Sequence, residues 1–408
     1  MPHRTQPRTI RRRTMKNKRT VFAFNPLCAC IALLGAGVSM QAAAQSSVTL
    51  YGVVDTAFAY SSNQGGHSNT YMSQGNLLAS KFGLSGTEDL GGGTQALFRL
   101  ESGFNSATGA QAAAGYMFNR LAFVGLSDKT YGALTLGRQY TPYFQYVAAL
   151  GPTNVLTGAT GAHPGDVDAL DTTLRFNNSV TYTLPVIGGL QAGVQYGMGE
   201  QPGSISGGSS FSAALRYDYQ AFAWSAGYIH LKNIPTSNSV GTFANNSPVN
   251  SGYASADSAQ LIATAARYTF GKLMVGLNYS NVQYKPGAGS LFTQAAMFNS
   301  YGLISTYALT PAITVAAGYS YTAEKARNGI SSPARYHQFS MEQTYALSKR
   351  TAFYALEAYQ KASGKTLRTV GGVSTIVDTV ASVGDSQNGT PSSTGHQFVG
   401  MVGIRHLF

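Results

Sequence analysis

The stretch Leu190-Gln191-Ala192-Gly193-Val194-Gln195-Tyr196-Gly197-Met198 decides the fold. Leu190, Ala192, Val194, Tyr196 and Met198 share one parity; Gln191, Gly193, Gln195 and Gly197 share the other. A strand sends successive side chains to opposite faces, so this is a ribbon with one apolar and one polar side. The alternation returns over residues 211–220, 273–280 and 313–322. In the last of these, Ile313, Val315, Ala317, Tyr319 and Tyr321 oppose Thr314, Ala316, Gly318, Ser320 and Thr322. What the apolar side touches, a protein core or lipid, sets the class of the protein.

The first residues stand outside this pattern. Arg11, Arg12, Arg13, Lys16, Lys18 and Arg19 precede an apolar stretch over 21–38, and Ala42-Ala43-Ala44 follows. A basic region, an apolar region and small residues make a secretory leader, cut before Gln45. Met15 is an alternative start with the same mature chain. A membrane anchor is the competing reading, but Asn25-Pro26 interrupts the stretch. Leu27-Cys28-Ala29-Cys30 faintly resembles a lipoprotein acylation site, although the apolar region runs on past it.

The leader carries eight of the 28 Lys/Arg and none of the 16 Asp/Glu, so residues 45–408 hold 20 bases against 16 acids. The basic balance is mostly a targeting feature, and no nucleic-acid partner is expected. Both cysteines also leave with the leader, which excludes disulfides, thiolate metal sites and a cysteine nucleophile.

No later run of about 18 apolar residues occurs, so a transmembrane helix is not expected. Charged residues are only 11% of the chain, with 47 Gly and 25 Tyr; soluble domains carry about 25% charge. An exported, charge-poor, aromatic-rich chain of alternating strands fits a closed membrane barrel, in which every backbone group pairs between strands. Tyrosines sit near segment ends, where aromatic girdles meet headgroups.

Short turns appear at 90–93, 128–132, 185–189, 220–221, 271–272, 310–311 and 348–350. Longer Ser/Gly/Asn/Pro-rich stretches at 61–76, 141–173, 233–257 and 364–394 lie between them. This predicts about 16 antiparallel up-and-down strands with short turns on one side and long loops on the other. A soluble β-sandwich or secreted adhesin is the alternative. It needs smaller domains or visible boundaries, and the sequence shows neither linker nor composition shift.

Ser47-Val48-Thr49-Leu50-Tyr51-Gly52-Val53-Val54-Asp55 and the segment from Ser80-Lys81-Phe82-Gly83-Leu84 to Gly91-Gly92-Gly93 resemble the opening strands of Gram-negative general porins of the Burkholderia, Bordetella and Neisseria type. Leu100-Glu101-Ser102-Gly103-Phe104-Asn105, Phe118-Asn119-Arg120 and Leu136-Gly137-Arg138-Gln139-Tyr140 extend the likeness, as does the terminal Phe408. The resemblance implies a trimeric, 16-stranded, water-filled diffusion channel in the bacterial outer membrane. It implies a third long loop, here about 141–173, folded into the barrel. Its expected partners are outer-membrane lipid and lipopolysaccharide, small hydrophilic solutes and ions, and further copies of the chain. A surface-binding role for the long loops, as adhesin or receptor, is the alternative function.

A channel selects by size and by the field at its narrowest point. Lys81 shares a face with Gly83, Ser85 and Thr87, while Phe82 and Leu84 take the other. Family positions match Lys81, Arg120 and Arg175 to a basic wall. They match Glu101 and the loop acids Asp166, Asp168 and Asp171 to carboxylates facing it. Arg138 shares parity with Leu134 and Leu136, which would aim it at lipid; an arginine there costs roughly 2–4 kcal/mol, so a bulge turning it inward is expected. Arg216 with Asp218, and Glu357 with Lys361, read as simple ladder pairs.

Enzymatic chemistry is not expected. The seven histidines make no zinc spacing. Asp166, Asp168 and Asp171 lack the central Gly and final Glu of a calcium loop. No nucleophile elbow or phosphate loop occurs. Neither metal nor cofactor is expected.

Overall fold

The computed structural model describes residues 47–171, 174–232, 234, 247–385 and 391–408. The leader and its cleavage point lie outside the described residues, as does most of 233–246.

Nineteen strand segments run in order: β1 (Ser47–Gln64), β2 (His67–Gln74), β3 (Lys81–Gly91), β4 (Thr94–Gly103), β5 (Leu121–Asp128), β6 (Gly132–Tyr140), β7 (Arg175–Thr183), β8 (Leu190–Gly197), β9 (Ser210–Tyr219), β10 (Phe222–Lys232), β11 (Ser258–Phe270), β12 (Leu273–Lys285), β13 (Ala296–Ala308), β14 (Ile313–Glu324), β15 (Arg335–Ala346), β16 (Thr351–Ser363), β17 (Lys365–Val370), β18 (Val373–Asp378) and β19 (His396–Leu407). Each wall strand pairs antiparallel with its sequence neighbours. β1 pairs with β3 over Ser47–Val53 and with β2 from Thr56 onward, so β2 and β3 are two halves of one wall strand. β1 also pairs with β19, from Val53↔Leu407 to Ser61↔Val399. The result is a closed barrel of 16 wall strands. Gly52 and Phe408 exchange backbone hydrogen bonds at 2.9 and 3.1 Å, which ties the last residue into the seam.

Burial shows which side is which. Phe58, Val124, Leu277 and Val402 are 57–64% exposed, while Ala57, Ser280 and Gln360 are at most 2% exposed. Large apolar residues therefore cover the outside, while the inner side carries polar residues such as Ser280 and Gln360 and, where the loop after β6 packs, an apolar cluster that includes Ile229, Leu261, Tyr284 and Phe298. A soluble sandwich has the reverse arrangement. A concavity of about 700 Å³ on the outside, lined by Phe58, Met72, Phe353, Val402 and Ile404 among others, has no charged side chain in its lining.

All seven short turns lie where the sequence puts them, at one end of the barrel. Two of the long stretches are more ordered than composition suggests. Residues 61–76 extend β1 and add β2 around Gly65-Gly66. Within 364–394 a second hairpin forms from β17 and β18. Neither β2 nor the β17–β18 hairpin carries the regular apolar alternation by which the other strands are read.

Between β2 and β3 the wall strand breaks at residues 75–80. Asp55, fully buried, holds the break. Its Oδ2 accepts from the backbone N–H of Leu77 at 2.8 Å and Leu78 at 2.9 Å, and its Oδ1 accepts from the Tyr354 hydroxyl at 2.5 Å. Asp55→Ala strands two buried N–H groups, and we expect a loss of at least roughly 2 kcal/mol. Tyr354→Phe removes one donor and should cost about 1 kcal/mol. Urea unfolding of the micelle-embedded protein reads both; equal effects would show that the carboxylate does not hold the break.

Candidate constriction site

Residues 141–171, which follow β6, begin as a short helix, α1 (Pro142–Val147). Thr141 caps it by accepting from Phe144 N–H at 3.1 Å, and Pro142 occupies a first-turn position where no N–H is needed. A second turn, α2 (Pro152–Val155), follows. The loop touches the inward-facing residues of many wall strands. Tyr143 N–H donates to Ser212 Oγ on β9 at 3.3 Å. A β-carbon at Gly227 on β10 would lie 2.9 Å from the Tyr143 ring, so only glycine allows this approach. Gln338 on β15 donates through Nε2 to the carbonyls of Thr160 and Ala162 at 3.0 and 3.1 Å.

The basic residues expected to act together are brought together. Lys81 opens β3, Glu101 lies on β4 and Arg120 immediately precedes β5. Arg120 Nε donates to Glu101 Oε1 at 2.7 Å, with both side chains buried. Tyr51 donates its hydroxyl to Glu101 Oε2 at 3.0 Å. The guanidinium groups of Arg120 and Arg175 lie 5.8 and 4.7 Å from the Tyr140 ring centre. Arg175 also donates to the Tyr140 hydroxyl at 3.2 Å. Tyr140 stacks on Phe144 of α1 at 4.9 Å. Aromatic faces attract guanidinium groups and let like charges sit close together.

Arg138 is turned off the apolar face by a register shift between Gly137 and Gln139, where Gly137 takes φ +129°. It donates to the Asn119 carbonyl through Nε and Nη2 at 2.8 and 2.6 Å and reaches Asn177 Oδ1 through Nη1. The bulge is the inward turn that the parity conflict calls for.

The carboxylates depart from the sequence reading. Glu101 does not face the basic wall; it stands within it, bound to Arg120, because β4 lies between β3 and β5. Asp168 is also held away. Its Oδ2 accepts from His163 Nδ1 and from Ser280 Oγ on β12, each at 2.5 Å. Burial works against a charged His163, but the Asp168 carboxylate beside it raises the imidazole above its ordinary value. Asp166 Oδ1 accepts from the Asp171 N–H at 2.9 Å. Of the expected loop acids, Asp171 shares a cavity with Lys81 and Arg120. That space, about 170 Å³, is lined by Lys81, Arg120, Tyr140, Phe144, Asp171 and Asp385 among others.

The bland ladder pairs divide. Arg216 grips Asp218 with both Nε and Nη2, at 2.7 and 2.9 Å. Glu357 instead accepts from Gln343 Nε2 at 3.1 Å.

Sequence reasoning missed Tyr51 and Tyr140 as partners of the charges, although both stand inside the quoted motifs. It missed Asp385 because a single acid in a loop of free sequence carries no local signal. It missed Gln338, Gln360 and Gln397 because their cross-strand alignment appears only with the register.

A closed barrel with an apolar exterior and a cluster of charged side chains inside is the architecture of an outer-membrane channel. The chain belongs to the Gram-negative porin family, whose model matches residues 29–365. It is 31% identical to outer membrane porin protein 32 of Delftia acidovorans over 93% of this chain and 99% of that protein. It is 32% identical to an outer membrane porin protein of Bordetella pertussis over 68% of this chain, spanning 64% of that protein's length. Among solved structures it resembles an anion-selective porin from Comamonas acidovorans, with a TM-score of 0.69 and 27% identity over 89% of this chain and all of that one. The protein is therefore an outer-membrane porin that passes solutes by diffusion, and family and fold are those of a channel rather than of a catalyst.

Proposed function

We propose that the loop expected over 141–173, described as far as residue 171, folds into the lumen and narrows it, and that Lys81, Arg120, Arg138 and Arg175 form the basic wall of the constriction with Asp171 across from them. The observation that carries this reading is the shared cavity of Lys81, Arg120 and Asp171. The loop's bonds to inward-facing Ser212, Ser280 and Gln338 support it. Glu101 cancels one basic charge locally, and three remain against Asp171. The channel therefore prefers small anions weakly, and the transverse field orders water and slows apolar solutes.

The working form is a homotrimer in outer-membrane lipid and lipopolysaccharide, delivered there after removal of a leader over residues 1–44. A reversal-potential measurement in a salt gradient tests the selectivity. The potential should take the sign of the anion gradient. A potential of the cation sign would overturn the assigned basic wall.

A further inference from the structure

Residues 381–385, which follow β18, are stitched to the same surfaces as the loop 141–171. Ser382 exchanges hydrogen bonds with Gln360, with N–H to Oε1 at 2.7 Å and Nε2 to the carbonyl at 2.7 Å. Val383 N–H donates to Gln397 Oε1 at 2.8 Å, and Gly384 N–H to Gln338 Oε1 at 3.1 Å. These glutamines lie side by side on β15, β16 and β19, in the register Gln338↔Gln360↔Gln397. The segment also binds the other loop directly. Asp385 N–H donates to the Ala159 carbonyl at 3.1 Å, and Gly165 N–H to the Gly384 carbonyl at 2.8 Å. The backbone of Asp385 is thereby fixed beside the cavity that holds Lys81, Arg120 and Asp171.

We propose that Asp385 is a specificity-determining residue of the pore, forming with Asp171 a carboxyl pair that shares one proton opposite Lys81 and Arg120. This rests on the constriction assigned above. Both residues are buried and line the same small cavity, which places two acidic groups side by side out of bulk water. Two carboxylates so placed cannot both ionise without strong repulsion. Burial, then the charges of Asp385 and Asp166, push the Asp171 carboxyl well above the usual aspartate range, and Arg120 opposes them. The groups facing the pair are Asp166 on the same loop, Lys81 from β3, Arg120 before β5 and Tyr140 at the end of β6. While the proton is held, the pair presents one negative charge. As pH rises the proton leaves, a second negative charge appears, and anion preference falls.

The test is the reversal potential of the full-length protein in planar bilayers under a fixed KCl gradient, from about pH 5 to about pH 9, a span that covers ordinary and strongly raised carboxylate pKa values. Wild type should lose anion preference steadily across that range. Asp385→Asn and Asp171→Asn each remove one member of the pair, so both variants should show a markedly shallower pH dependence than wild type. A flat wild-type profile overturns the proposal. So does a wild-type slope that survives undiminished in Asp385→Asn, because His163, which titrates beside Asp168, is untouched by that change. Should Asp385→Asn fail to assemble, Asp171→Asn reads the same slope, and its undiminished persistence there also overturns the proposal. Absence of any stepwise current in wild type would defeat the channel assignment itself, a separate outcome.

Discussion

Replacing Arg120 and Arg175 together by glutamine should abolish the pore's anion preference and shift its reversal potential toward cations. The change removes two positive charges from one wall. It also releases Glu101, whose carboxylate is held by Arg120 Nε at 2.7 Å. A unit charge ~6 Å from a permeating ion, at an effective dielectric constant of ~20, is worth about 3 kcal/mol. A free-energy difference of ~1.4 kcal/mol is already a tenfold ratio. Screening by salt in the lumen reduces this figure, but a swing of two charges, from three net positive charges on the wall to one, leaves ample margin for a measurable shift. The control is Glu101→Gln with Arg120→Gln, which deletes a bonded pair of zero net charge and should move the reversal potential far less. An unchanged potential in the Arg120/Arg175 variant would remove both residues from the selectivity site.

Replacing Gln338 and Gln360 by alanine should enlarge the pore. Gln338 holds the Thr160 and Ala162 carbonyls and the Gly384 N–H, while Gln360 holds both backbone groups of Ser382. Each lost bond costs about 1 kcal/mol, and the loop groups left behind can recover it only by moving to water. The wall itself keeps its backbone ladder at Gln338↔Gln360. Single-channel conductance should therefore rise several-fold and larger sugars should pass in a liposome-swelling assay, with the barrel still folded. Conductance equal to wild type would mean that these two loops do not narrow the lumen.

The wall was largely legible in the sequence because lipid enforces a strict rule. Every second residue of Leu190–Gly197 must be apolar on its lipid side, and the short turns follow from the same geometry. The parity conflict at Arg138 even located the bulge beside Gly137. The interior follows no such rule. Glu101 and Asp171 are both single acids; strand order sets Glu101 beside Arg120, and the path of the loop brings Asp171 to the cavity that Arg120 lines. Asp168 reads as a pore charge until Ser280, 112 residues away, is seen to hold it. The glutamine row and Asp385 depend on cross-strand register and on the path of a loop, neither of which is written in local periodicity.

The central claim is that the apolar faces of these strands meet acyl chains while the polar faces enclose a conducting column of water. Planar-bilayer recording of the purified protein tests it most directly. Stepwise, ohmic current increments grouped in threes are the result expected of a trimer of open barrels. A bilayer that stays silent at saturating protein, with the same sample monodisperse in buffer free of detergent, would contradict it.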